Sequence, residues 1–316
     1  MTLPKIGISL GDPGGVGPEV TLKSLSSFSS LPHARYVLFG SQAVIDNERD
    51  ALNLDISFPN DSISLHEVDG LSDTSEKRKP TPSNGALSFR YFEEAVQQAQ
   101  KGNIQALVTA PISKRSWDLA GISWAGHTEY LSQSYPKAIM FFWSEDLKVA
   151  LFTHHIPLQK AIAKVKEKPL FEFIGQLDKY MNSIQSHGFE FVVAGLNPHA
   201  GEQGMMGSEE SEYILPAIEK ARSNGIRVSG PFPPDVVFRD ARNKKDKIAI
   251  ALYHDQGLIP FKLLAFHRGV NLTLGLPFIR TSPDHGTAFD IAGKGIADPN
   301  SMIEAIRLAH RFASTR

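Results

Sequence analysis

The stretch KIGISLGDPGGVGPE, Lys5 to Glu19, sets the fold class. KIGISL (5–10) reads as a buried strand, GDPGGVG is turn chemistry, and Pro18 stands where the first residue of a helix tolerates a missing N–H. Strand, turn and helix then recur along the chain. The apolar runs YVLFG (36–40), IQALVTA (104–110), AIMFFW (138–143), KVALFT (148–153), FEFVVAG (189–195) and KIAIALY (247–253) predict further strands. Amphipathic stretches predict helices over 88–102, 169–188 and 208–225, each closed by a residue followed by glycine, and a last helix over 300–312. This alternation predicts an α/β protein with a largely parallel sheet. Residues 61–84, rich in Ser, Asp, Lys and Pro, read as an irregular surface excursion.

The 316 residues suffice for two domains with ordinary cores. Lysine plus arginine number 33 against 34 acidic residues, so nothing in the bulk charge attracts nucleic acid or an anionic membrane. An anionic ligand must therefore be held by a local cluster. The absence of cysteine excludes disulfides, thiolate metal ligation and a cysteine nucleophile. No apolar run approaches the ~20 residues of a membrane span, and the N-terminal residues lack a signal-peptide apolar region. The expectation is a soluble cytoplasmic protein with neither a nucleic-acid nor a membrane partner.

Unusual polar residues gather just after predicted strand ends, where open α/β sheets place ligands. GDPGGVGPE is neither GxGxxG nor a P-loop, so it is either a tight strand-to-helix turn or backbone approaching a ligand. His155, His199 and His254 each lie at or just beyond an apolar run. Three imidazoles with open positions suit a catalytic divalent ion. They are far apart in sequence and HExxH is absent, so they can meet only through tertiary or quaternary structure; the same pattern also fits three unrelated histidines. In LFTHHIPLQKA (151–161), neighbours on an extended segment point to opposite faces, so only one of His154 and His155 can serve such a site. His127 with Thr128, and Lys262, Asn271 and Arg280, suit phosphate recognition or ordinary surface charge. The stretch Arg280 to Pro299 is dense in Gly, Pro, Asp and His, which excludes a strand or long helix and marks a functional loop.

SPDHGTAFDIAGKGIADP resembles the nucleotide-binding loop of the isocitrate and isopropylmalate dehydrogenase superfamily. Taken with GDPGGVGPE, TAPISK, GHTE, THHIPL, GLNPHAGE and YHDQGLIPFK, the chain resembles the 4-hydroxythreonine-4-phosphate dehydrogenases of pyridoxal phosphate biosynthesis, from near residue 5 to near residue 299. That resemblance implies a two-domain α/β fold with mostly parallel sheets and the active site in the interdomain cleft. The expected domains are 1–125 with 266–316, carrying the nucleotide-binding loop 280–299, and 126–265, carrying the metal ligands and the dimer contact. It implies NAD- or NADP-dependent oxidation of a secondary alcohol on a small phosphorylated substrate, followed by decarboxylation, in a homodimer with a shared site. One divalent metal per site (zinc, magnesium or cobalt) would be held by His155, His199 and His254, with His155 lent across the dimer and His154 facing the other side of its segment. Substrate contacts would be His127, Thr128, Lys262, Asn271 and Arg280. Asp235 or Lys262 would be the base, and the dinucleotide would lie along Asp284, His285, Gly286, Thr287, Asp290 and Gly293. Val236, Gln203 and Gly14 depart from the family pattern, which leaves a phosphorylated threonate or erythronate as an alternative substrate. A phosphate acyltransferase-like enzyme and a non-catalytic ligand-binding module are the competing classes; metal analysis separates the first and turnover the second.

Overall fold

The computed structural model describes residues 3–27, 31–54, 62–68, 76–184 and 188–315. Eleven strands are described: β1 (Lys5–Ser9), β2 (Arg35–Gly40), β3 (Ile63–Glu67), β4 (Ala106–Thr109), β5 (Ile139–Trp143), β6 (Lys148–Leu151), β7 (Glu190–Ala194), β8 (Val228–Phe232), β9 (Lys247–Ala251), β10 (Val270–Leu274) and β11 (Ile279–Pro283). The chain divides into a terminal unit, Met1–Ala138 with Leu276–Arg316, and a central unit, Ile139–Gly275.

In the terminal unit the order is β3-β2-β1-β4-β11 and every pairing is parallel. Parallel strands covered on both faces need continuous apolar runs rather than alternation. All four residues of β4 and all five of β11 are accordingly buried. Helices Pro82–Gln100 and Asn300–Ala313 cover the sheet. The first is capped by Thr81, whose hydroxyl accepts from the Asn84 amide at 3.1 Å, with Pro82 at the start. Phe39, Phe92, Trp117 and Phe278 belong to one core cluster of this unit.

In the central unit the order is β10-β5-β6-β9-β7-β8. β5 is antiparallel to both neighbours, while β6, β9, β7 and β8 run parallel. The C-terminal ends of β6, β9 and β7 therefore open side by side, about 4.8 Å apart from strand to strand.

Several expectations need correction. The unit boundaries fall after Ala138 and Gly275, not at 125 and 265. His127 packs on Phe92 and Trp117 of the terminal unit, and β10 pairs with β5 of the central one. The stretch 61–84 is not wholly irregular: β3 and the first turn of helix Pro82–Gln100 lie within it, though 61 and 69–75 fall outside the described residues. ISLHE hides its strand because only Ile63 is fully buried. Arg280–Pro299 opens with β11, whose polar letters concealed a fully buried strand. The helix predicted over 169–188 spans Glu167–Ile184, and 185–187 lie outside the described residues.

Candidate active site

In the terminal unit, parallel register sets Arg280 of β11 opposite Leu107 of β4. Its guanidinium is 2% exposed and donates to Thr109 Oγ1 at 2.6 Å and to His127 Nδ1 at 3.1 Å. A guanidinium can only donate, so Nδ1 must accept and the proton of a neutral imidazole resides on Nε2. Burial, reinforced by Arg280, holds the His127 pKa well below its ordinary value, which keeps the ring neutral. Nε2 is buried and has no hydrogen-bond partner among the described residues. A buried N–H without an acceptor is costly, so it points to a ligand. The ring is set by Phe92 at 4.4 Å and Trp117 at 5.6 Å between centroids.

His127 opens the helix His127–Ser134, followed at once by Thr128. First-turn amides, a hydroxyl, an imidazole N–H and a guanidinium are the donor types that anion binding requires. Burial lowers the Arg280 pKa to about 10, which still leaves it charged at neutral pH. Thr109 was not singled out from the sequence; the signal was a hydroxyl at the last position of a buried strand.

The segment Asp284–Gly293 also lies in the terminal unit. The Val16 amide donates to Thr287 O at 2.9 Å, and Arg78 Nε to Ala292 O at 2.9 Å. A Cβ on Gly15 would lie 2.7 Å from Thr287 O, and one on Gly14 would lie 2.3 Å from Asn84 Nδ2. The glycine-rich turn is thus a close approach of backbone to protein: it buttresses this loop. The Asp284 amide donates to Ser301 Oγ, and His285 Nδ1 sits 3.0 Å from Gly286 O. Gly286, Asp290 and Gly293 are exposed.

In the central unit, His155, His254 and His199 follow β6, β9 and β7, three adjacent parallel strands. The His155 and His254 rings have centroids 5.7 Å apart. His254 Nδ1 lies 2.7 Å from Asp255 Oδ1; with Nδ1–H given to the carboxylate, Nε2 keeps a lone pair for an ion. His155 and His199 adopt left-handed backbone, φ 43° and 52°, a conformation that non-glycine residues seldom hold without a local reason. His199 begins a left-handed turn through Gln203. Among the described residues, no three His, Asp or Glu side chains of the single chain are gathered closely enough to hold an ion. His155 and His254, with His199 on the neighbouring strand end, fit a divalent ion in donor chemistry.

His154 and His155 do have different surroundings, His155 exposed and His154 partly buried, with ring planes 84° apart. The cause is not strand alternation, because β6 stops at Leu151 and His155 lies in a bend. Asp235 is exposed and lines a cavity of about 570 Å³ with Tyr253, Asp255, Ile259 and Leu263. Lys262 lies on the helix His254–Ala265 and Asn271 on β10, both partly buried. These three residues belong to the central unit, whereas His127, Thr128 and Arg280 belong to the terminal one.

Residues 32–309 match the family described as pyridoxal phosphate biosynthetic protein PdxA. A 4-hydroxythreonine-4-phosphate dehydrogenase of Desulforapulum autotrophicum is 41% identical, covering 97% of this chain and 94% of the relative. A D-threonate 4-phosphate dehydrogenase of Salmonella typhimurium is 38% identical, covering 98% of both chains. The crystal structure of a 4-hydroxythreonine-4-phosphate dehydrogenase from Klebsiella pneumoniae superimposes with a TM-score of 0.84 at 36% identity, over 98% of this chain and 99% of the other.

Proposed function

The chain belongs to the pyridoxal phosphate biosynthetic protein PdxA family, and from that premise we propose that it is a metal-dependent NAD(P) dehydrogenase acting on 4-phosphohydroxy-L-threonine. Oxidation of the secondary alcohol passes a hydride to the nicotinamide and a proton to the protein; the β-keto acid then loses carbon dioxide to give 3-amino-2-oxopropyl phosphate. The observation that carries this reading is the buried Arg280–His127 pair, with a neutral imidazole N–H that lacks a protein acceptor.

Arg280, His127 and Thr128 grip the phosphate, fixing one end of the substrate so that its reacting C–H aligns with the nicotinamide. Lys262 and Asn271 bind the remaining polar groups. Asp235 takes the hydroxyl proton, with Lys262 as the other base of suitable reach. Asp284, His285, Gly286, Thr287, Asp290 and Gly293 carry the dinucleotide, on a loop kept in shape by Val16 and Arg78. His155, His199 and His254 hold one divalent ion, zinc, cobalt or magnesium, which when bound lowers the pKa of the hydroxyl and polarises the ketone.

In this reading a homodimer completes the ligand set, with His155 lent to the partner's His199 and His254. Support comes from the helix that starts at His254: Ile259, Leu263 and Phe266 form an apolar stripe 61%, 81% and 65% exposed. Leu263→Asp should give monomers in sedimentation. Mixed His155→Ala and His254→Ala subunits should recover activity if the ion is shared; no recovery after confirmed exchange would place it within one chain.

The 38% identity to a D-threonate 4-phosphate dehydrogenase favours a second substrate, D-threonate 4-phosphate. A panel of both phosphorylated acids, run with NAD and NADP and with zinc, cobalt and magnesium, separates the two. The reading expects reduced nicotinamide from 4-phosphohydroxythreonine; turnover confined to the threonate would transfer the assignment, and none with either would end it.

A further inference from the structure

The three histidine loops of the central unit are tied by a buried polar chain that runs across their strand ends. Thr153 Oγ1, two residues before His155, donates to Leu252 O at 2.7 Å. The Leu252 amide, two residues before His254, donates to Gln256 Oε1 at 2.7 Å. Gln256 Nε2 donates to Gly195 O at 2.7 Å, four residues before His199. Thr153 is 5% and Gln256 8% exposed, so no solvent stands in for these partners. The Gln256 amide meets an N–H with its oxygen and a carbonyl with its nitrogen, the single orientation that satisfies both ends.

Parallel strand ends lack further ladder partners, so the loops beyond them can shear unless something joins them. The far side of the His199 loop is pinned separately: Glu210 Oε1 accepts from the Leu196 and Asn197 amides at 2.8 and 2.7 Å. Gln256 is what connects that braced loop to the turn that carries His254. We propose that Gln256 is a positioning residue, a crossbar that sets the distance between the His199 and His254 loops and so the affinity for the divalent ion. This rests on the reading that those histidines are ligands.

The test is calorimetric titration of the full-length, metal-free protein with zinc, for the native chain, His199→Ala and Gln256→Met. Methionine keeps the length of the side chain and removes both hydrogen-bonding ends. The expected result is a zinc dissociation constant raised about 10- to 100-fold in Gln256→Met, the range typical of residues that orient metal ligands. His199→Ala should lose more. Binding of inorganic phosphate, titrated separately, should be unchanged in Gln256→Met, which general structural damage would not allow. Zinc affinity equal to the native chain's, or a parallel loss of phosphate binding, would overturn the crossbar while leaving the ligand reading intact. No zinc binding by the native chain, or none lost in His199→Ala, would overturn the ligand reading and the crossbar with it. Should Gln256→Met not fold, Gln256→Glu decides, since it keeps an oxygen to accept from the Leu252 amide and removes the donor to Gly195 O: a weakened zinc affinity supports the crossbar, and an unchanged or tighter one refutes it.

Discussion

On the proposed reading, the Arg280–His127 pair of the terminal unit holds an anion and the histidine loops of the central unit hold a metal ion, and the two solve opposite problems. Arg280 is 2% exposed and already bonded to Thr109 and His127, whereas His155 and His199 are exposed and, among the described residues, no three candidate ligands gather in one chain. A buried guanidinium must be preorganised, because an unsatisfied charge in a dry site is costly. An ion supplies much of the energy for ordering its own ligands, so ligands of this kind can stand on strand-end loops braced only at their bases. Substitutions in the first region should therefore damage binding of the anion alone, and those in the second binding of the ion alone.

That separation is open to direct attack. Arg280→Ala should cost about 2–5 kcal/mol in binding of the phosphorylated substrate, the range for truncating one partner of a buried charged pair. Steady-state kinetics reads it as a fall in kcat/KM, with zinc binding by calorimetry untouched. His199→Ala should reverse the pattern: zinc affinity falls by more than about 100-fold, while phosphate still raises the melting temperature. Loss of both activities in either variant would mean that the regions are not independent.

His127→Phe keeps an aromatic ring against Phe92 and Trp117 but deletes the Nε2–H donor. About 1.5–3 kcal/mol of phosphate binding should go with it, as for a hydrogen bond to a charged group. A smaller effect concerns pH. His127 has a folded-state pKa well below the ordinary 6.5, so the unfolded chain binds the extra proton first. Its contribution to stability is complete above about pH 6.5 and declines as pH falls from there toward the folded-state value, by at most about 1.4 kcal/mol per pH unit. Denaturation at stepped pH should show that decline, and His127→Phe should flatten it.

How much of this was legible in the sequence follows the same division. Strands β1, β4, β6, β7 and β9 announced themselves because both faces are buried and the run of apolar letters is unbroken. The histidines just past three of them could be read as strand-end residues, but their mutual spacing depends on strand order β6-β9-β7, which no local pattern encodes. β11 was invisible because IRTSP includes the polar but buried Arg280 and Thr281, whose side chains bond to Thr109, His127 and Ala305. Gln256 stood inside the quoted YHDQG and Thr109 inside TAPISK, yet neither showed a role until its partner on another strand was known. Long-range pairing, not residue type, is what single-sequence reasoning lacks.

The most direct test of the whole account is an anomalous difference map at the zinc edge, from crystals grown with zinc and a phosphorylated substrate. The expected map has one zinc peak about 2.0–2.1 Å from imidazole nitrogens of residues 155, 199 and 254, drawn from one or two subunits, with the phosphate against Arg280 and His127. A peak held by other side chains, or a phosphate lying away from Arg280, would contradict it.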